Sequence, residues 1–194
     1  MDSLSDKNPL LKQIRRAVSR GTLTEDGYAV AEGVRLLEEA LAAKREIAVV
    51  LAAESAHPRF PYARVISDKI FGELSSTETP QGVMALVRPV PWTLEQVIGG
   101  NALVVVLDGV QDPGNAGAIL RAAEAFGATG AIFLKGTVNP YNPKCLRGSA
   151  GSAFRVPLVA GVEPQAFLER VSLALYAATP RARKLLSEAD LASP

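Results

Sequence analysis

Leu103–Phe133, LVVVLDGVQDPGNAGAILRAAEAFGATGAIF, is the stretch that decides the fold. Leu103 to Leu107 is apolar at every position, the pattern of a central parallel strand covered on both faces. A tight Gly/Pro turn follows. A helix then runs from Asn115 to Phe126, closed by Gly127, and a second strand covers Ala131 to Leu134. An apolar strand feeding a polar, glycine-rich turn is where α/β proteins build sites.

Downstream, Pro143 to Arg147 reads as a short helix and Val156 to Val159 as a strand. Pro164 to Ser172 reads as a helix, Leu173 to Ala178 as a strand, and Arg183 to Leu191 as a helix. Upstream lies a second α/β unit. Asn8-Pro9 has the form of an N-cap followed by proline at the first helical position. Leu10, Leu11, Ile14 and Val18 form one helical stripe, ended by Gly21. Strands are expected at Tyr28–Ala31, Ile47–Leu51 and Val83–Val87, with another ending at Val65-Ile66. Helices are expected over Val34–Ala43 and from a Ser67 cap through Leu74. Arg88 to Pro91 carries two prolines and reads as a linker. Thr93 to Gln96 fits a capping box. The expected division is therefore 1–90 and 91–194.

The 194 residues are 48% hydrophobic, enough for a real core, and carry a net charge of +1. No apolar run approaches a membrane span, and the polar start MDSLSDKNPLLKQ is unlike a signal peptide. One cysteine, Cys145, excludes an internal disulfide. These features point to a cytoplasmic protein with no membrane partner. Charge is local: Lys7, Lys12, Arg15, Arg16 and Arg20 share one acid-free stretch, and Lys135, Lys144, Arg147 and Arg155 another. Such patches suit phosphate contacts, and equally suit solvated faces.

Known loop chemistries are excluded in turn. Gly109 and Gly114 have the first spacing of a phosphate-binding loop, but Asn115-Ala116 replaces its Lys and hydroxyl. The dinucleotide fingerprint lacks its leading glycine pair. A single histidine, His57, and a single cysteine make no metal site, and no G-x-S-x-G elbow accompanies His57. Asn-x-Gly-x-x-x-Arg at a helix start remains. Gly117 and Arg121 share a helix face, and Arg121 and Glu124 are three apart. Two readings stand side by side. In one, Gly117 lets a ligand approach the backbone and Glu124 orients a functional Arg121. In the other, Arg121–Glu124 is a surface ion pair and Gly117 serves packing.

DGVQDPGNAGAILRAAEAFGATGAIFL resembles the first motif of the SpoU (TrmH-like) ribose 2′-O-methyltransferases of the SPOUT superfamily. SAGSAFRVPLV is similar to the stretch that follows it. VAEGVRLLEEAL and STETPQGVMALV resemble the family's substrate-binding domain, which has an L30e-like fold. The resemblance implies an L30e-like α/β domain followed by a Rossmann-like parallel-sheet methyltransferase domain. It implies methyl transfer from S-adenosylmethionine to a ribose 2′-hydroxyl of rRNA or tRNA, and a homodimer for the complete protein. Arg121, Asn115 and Glu124 take the catalytic positions, and the Ala178-Thr179 turn borders the cofactor. Arg15, Arg16, Arg35, Lys44 and Arg147 are the candidates for gripping structured RNA. Two later family motifs, G-x-E-x-x-G and Ser-Leu-Asn, build the trefoil knot and most of the cofactor pocket, and neither is present. A chain lacking the C-terminal trefoil knot, inactive alone with an incomplete S-adenosylmethionine pocket, is the expectation. A non-catalytic RNA-binding module is the alternative.

Overall fold

Helix α1 (Pro9–Arg20) begins where the Asn8 side chain accepts from the Leu10 N–H at 2.9 Å, with Pro9 at the first position. Its buried face is Leu11, Ile14 and Ala17, with Leu10 and Val18 half-buried beside it. Gly21 ends it in the left-handed region, at φ 64°. In the computed structural model, which describes residues 4, 6–179, 185 and 188, this helix leads into a four-stranded sheet. The strands are β1 (Ala29–Glu32), β2 (Ile47–Ala53), β3 (Arg64–Ile66) and β4 (Val83–Val87), in the order β1-β4-β2-β3. Strand β4 runs antiparallel to both neighbours, while β3 lies parallel to β2. Helix α2 (Val34–Ala42) packs on β1 and β4, and α3 (Asp68–Leu74), capped by Ser67, packs on α1 and β2.

The second sheet is wholly parallel: β5 (Val104–Leu107), β6 (Gly130–Leu134) and β7 (Leu158–Val162), in that order. Helix α4 (Leu94–Ile98) opens on the expected Thr93–Gln96 capping box. Helix α5 (Pro113–Ala125) makes the β5–β6 crossover, and α6 (Pro143–Ser149) with α7 (Ser152–Arg155) the next. Helix α8 (Pro164–Arg170) follows β7. Among the described residues no helix is long and apolar enough to cross a membrane.

Three expectations are corrected. Strand β5 is an edge and β6 the centre: Val104, Val105 and Val106 are half-buried, whereas β6 is buried throughout. Leu173–Ala178 is not a strand, because its backbone joins no ladder, and Leu175 and Tyr176 are 53% and 55% exposed. Apolar composition alone cannot make a strand where no neighbour supplies the hydrogen bonds. Helix α5 starts two residues before Asn115, because the Asp112 side chain accepts from the Asn115 N–H at 2.7 Å. The short helix α7 also delays β7 by two residues relative to Val156. The helix expected over Arg183–Leu191 falls outside the described residues except at 185 and 188.

One apolar core runs through both sheets, joining Leu11, Ile14 and Met84 to Leu120, Phe133 and Leu146. Helix α6 is the bridge, packing against both α5 and β1.

Candidate active site

The site is built on the crossing of α5 and α6. An alanine Cβ at Gly117 would stand 2.4 Å from the Cys145 carbonyl oxygen and 2.8 Å from the Ser149 nitrogen. The space beside Gly117 is thus filled by the α6 backbone, and the expectation that a ligand approaches there is corrected. One turn beyond, Arg121 is exposed and has no ion-pair or hydrogen-bond partner among the described residues. Asn115, also exposed, lies on the first turn with its side-chain amide equally unengaged.

Glu124 does not orient Arg121. It takes both arms of Arg155, Nε to Oε1 at 2.5 Å and Nη2 to Oε2 at 2.8 Å, and Arg155 also reaches Glu39 on α2. The planar guanidinium of α7 meets the carboxylate with two parallel bonds, a geometry stronger than the one a three-residue helical spacing offers. Its hydrogen bond from Arg155, opposed by partial burial, holds the Glu124 carboxyl below its ordinary value.

On the other side of α6, Arg147 enters a polar network. Its Nη1 donates to Ser76 Oγ at 2.6 Å, and it lies 3.7 Å from the buried Glu32 carboxylate. Glu32 accepts from the Ser75 hydroxyl, from the Ser76 N–H at 2.9 Å and Oγ at 2.7 Å, and from the Thr77 hydroxyl at 2.8 Å. Burial pushes this carboxyl upward, but the hydrogen bonds from Ser75, Ser76 and Thr77 outweigh it and leave the value lowered. The network floors a cleft of about 340 Å³ also lined by Arg35, Thr79 and Gln81. Gln81 Oε1 accepts from the Val34 N–H at 2.9 Å and so caps α2 from a distant loop.

The chain as a whole has counterparts among known proteins. Residues 102–194 match the SpoU rRNA methylase family, and residues 8–85 match the MRM3-like substrate-binding domain. An uncharacterized tRNA/rRNA methyltransferase of Synechocystis is 32% identical, over 98% of this chain and 74% of its own length. The chain belongs to the SpoU rRNA methylase family. A Bacillus subtilis relative, the 23S rRNA (guanosine(2553)-2′-O)-methyltransferase RlmP, is 30% identical over 80% of this chain and 63% of its own. A crystal structure of an RNA 2′-O ribose methyltransferase superposes with a TM-score of 0.73 at 31% identity, covering 97% of this chain and 77% of that one. The SpoU enzyme AviRb of Streptomyces viridochromogenes, solved with S-adenosylmethionine, gives 0.71 at 26% identity, covering 84% of this chain and 66% of that one.

Within this SpoU chain the basic candidates divide. Arg15 pairs with Asp6 at 2.8 Å and Glu73 at 3.4 Å, and Arg16 with Glu25 at 2.5 Å. Arg35 is 76% exposed and only 3.9 Å from Glu39, while Lys44 is exposed with no partner among the described residues. Arg147 is committed to the Glu32 network. Ala178 and Thr179 are exposed and line none of the clefts described here.

The Glu32 network makes acid stability testable. A carboxyl whose folded-state value is lowered adds stability above its unfolded-state value, about 4.3, and loses it as pH falls through the folded-state value. Glu32→Gln is expected to cost about 2 kcal/mol at neutral pH, from charge-assisted hydrogen bonds lost. Thermal melts from pH 7 downward should begin to converge with wild type only below about pH 4.3 and meet below the lowered folded-state value. Parallel curves at every pH would contradict this account.

Proposed function

We propose that the protein methylates a ribose 2′-hydroxyl of rRNA or tRNA, with S-adenosylmethionine as methyl donor and Arg121 and Asn115 at the centre. Arg121 carries the proposal: an exposed guanidinium with no partner among the described residues, where seven of the twelve described arginines lie within 4 Å of a carboxylate, within the segment matched to the family. A guanidinium does not surrender its proton near neutral pH. Its role is to clamp the phosphate beside the target ribose bidentately and to stabilise the charge developing on the 2′-oxygen. Asn115 supplies an amide that positions the ribose or the guanidinium. The 1–90 part grips structured RNA by shape and phosphates, through Arg35 and Lys44 and through surface pairs such as Arg16–Glu25 that phosphate can displace. A homodimer and a cytoplasmic location belong to the same proposal.

S-adenosylmethionine, when bound, would supply the electrophilic methyl group. A second reading, favoured by the exposure of Ala178 and Thr179, is an RNA-binding module without catalysis. Calorimetric titration with S-adenosylmethionine, paired with transfer of a labelled methyl group to 23S rRNA, separates them. Saturable donor binding with 2′-O-methylation is expected under the first reading, and would overturn the expectation that a chain without the G-x-E-x-x-G and Ser-Leu-Asn motifs is inactive alone. RNA binding without donor binding would establish the module.

A further inference from the structure

The two acid-free basic stretches of the sequence meet in space. A cleft of about 340 Å³ lies between the C-terminal end of α1 and the beginnings of α5 and α6, lined by Ser19, Arg20, Ser76, Pro113, Asn142 and Lys144 among others. No carboxylate lines it. Arg20 and Lys144 come from positions 124 apart in the chain. Both are exposed, and neither has an ion-pair partner among the described residues. Arg15 and Arg16, on the same helix as Arg20, are by contrast matched by acids.

The walls add neutral donors. The Asn142 side-chain oxygen accepts from the Lys144 N–H at 2.9 Å, which fixes the amide. Its Nδ2 then lies against Gly21, where an alanine Cβ would stand 2.2 Å away, and it donates to nothing among the described residues. The Ser19 hydroxyl is likewise unengaged. Two free cations, an oriented amide and a hydroxyl in an acid-free cleft match a phosphodiester, which offers negative charge and acceptor oxygens only. Pro113 opens the helix that carries Arg121, eight residues and about 12 Å further along its axis.

We propose that this cleft is a phosphate subsite for the RNA backbone, held by Arg20 and Lys144, which sets the register of the strand against Arg121. The inference rests on the RNA-binding reading above and names one place where that binding occurs. Joining the two parts of the chain, it also makes their mutual packing a requirement for binding.

Fluorescence anisotropy with a labelled RNA stem-loop, over a tenfold range of potassium chloride, tests it. Arg20→Gln and Lys144→Gln should each raise Kd roughly three- to tenfold and lower the slope of log Kd against log salt by about one. The double variant should lower the slope by about two. Lys69→Gln, the same loss of charge at an exposed position of α3, should leave the slope unchanged. Equal slopes in wild type and double variant would overturn the subsite while leaving RNA binding intact. A wild-type chain that binds no RNA would overturn both readings. Replacing chloride by inorganic phosphate at constant ionic strength is expected to change little. Displacement of RNA by millimolar phosphate would mark a free-anion site and overturn the backbone assignment.

Discussion

Gly117→Ala is expected to destabilise the protein by about 3 kcal/mol, the upper end for overpacking a well-filled contact. The added methyl meets three backbone atoms of α6, the Cys145 oxygen, the Ser149 nitrogen and the Gly148 carbonyl carbon, all within 2.9 Å. Backbone atoms cannot swing aside as a side-chain tip can, so the helices must part by roughly 1 Å to reach ordinary contact. Alanine gains about 1 kcal/mol of intrinsic helix preference over glycine, which is too little to offset this. Gly72→Ala in α3 is the contrasting case. Nothing lies within 4 Å of its added methyl, so the preference stands alone and a gain of about 0.5–1 kcal/mol is expected. Urea unfolding of both variants checks the pair of signs. A neutral Gly117→Ala would mean that α6 is not seated on α5 as described.

Arg121→Ala is expected to lower kcat/KM for RNA methylation about 10²- to 10³-fold, the range for removing one donor aimed at developing charge. Stability should change by no more than about 0.5 kcal/mol, because the side chain is exposed and unpaired. Arg121→Lys should recover little, since an ammonium is a point charge and cannot form two parallel bonds to one phosphate. Steady-state methylation rates alongside thermal melts give both readouts. Wild-type rates in Arg121→Lys would reduce the residue to a general positive charge.

Much of the architecture is legible in short windows of sequence. The Asn8, Ser67 and Thr93 caps, the Leu11–Ile14 stripe and the buried strand Val83–Val87 are each settled by residues within a turn or two, because capping and periodicity are local. The strand–turn–helix of Val104–Ala125 is legible for the same reason, as is the placing of Asn115 and Arg121 at its crossover. Where the local reading of this segment fails, the competing partner is distant. Glu124 is taken by Arg155, 31 positions away, and Arg147 by Ser76, 71 positions away. A carboxylate three residues from an arginine has the spacing to pair, but the bidentate partner delivered by α7 wins.

Strand order follows the same rule. The apolar run at Leu103–Leu107 specifies a strand, yet its rank in the sheet depends on which neighbours supply hydrogen bonds, and β6 takes the centre. By itself the sequence determines two α/β units, their caps and turns, and a helix that carries Asn115 and Arg121 with Glu124 within pairing distance. Only the tertiary structure decides that Gly117 seats α6 instead of a ligand, that Arg147 ties α6 to the Glu32 network, and that Arg20 and Lys144 line one cleft. Helix ends and turns are governed by neighbours along the chain. Close backbone approach, ion-pair choice and clefts are governed by neighbours in space, which spacing in sequence does not encode.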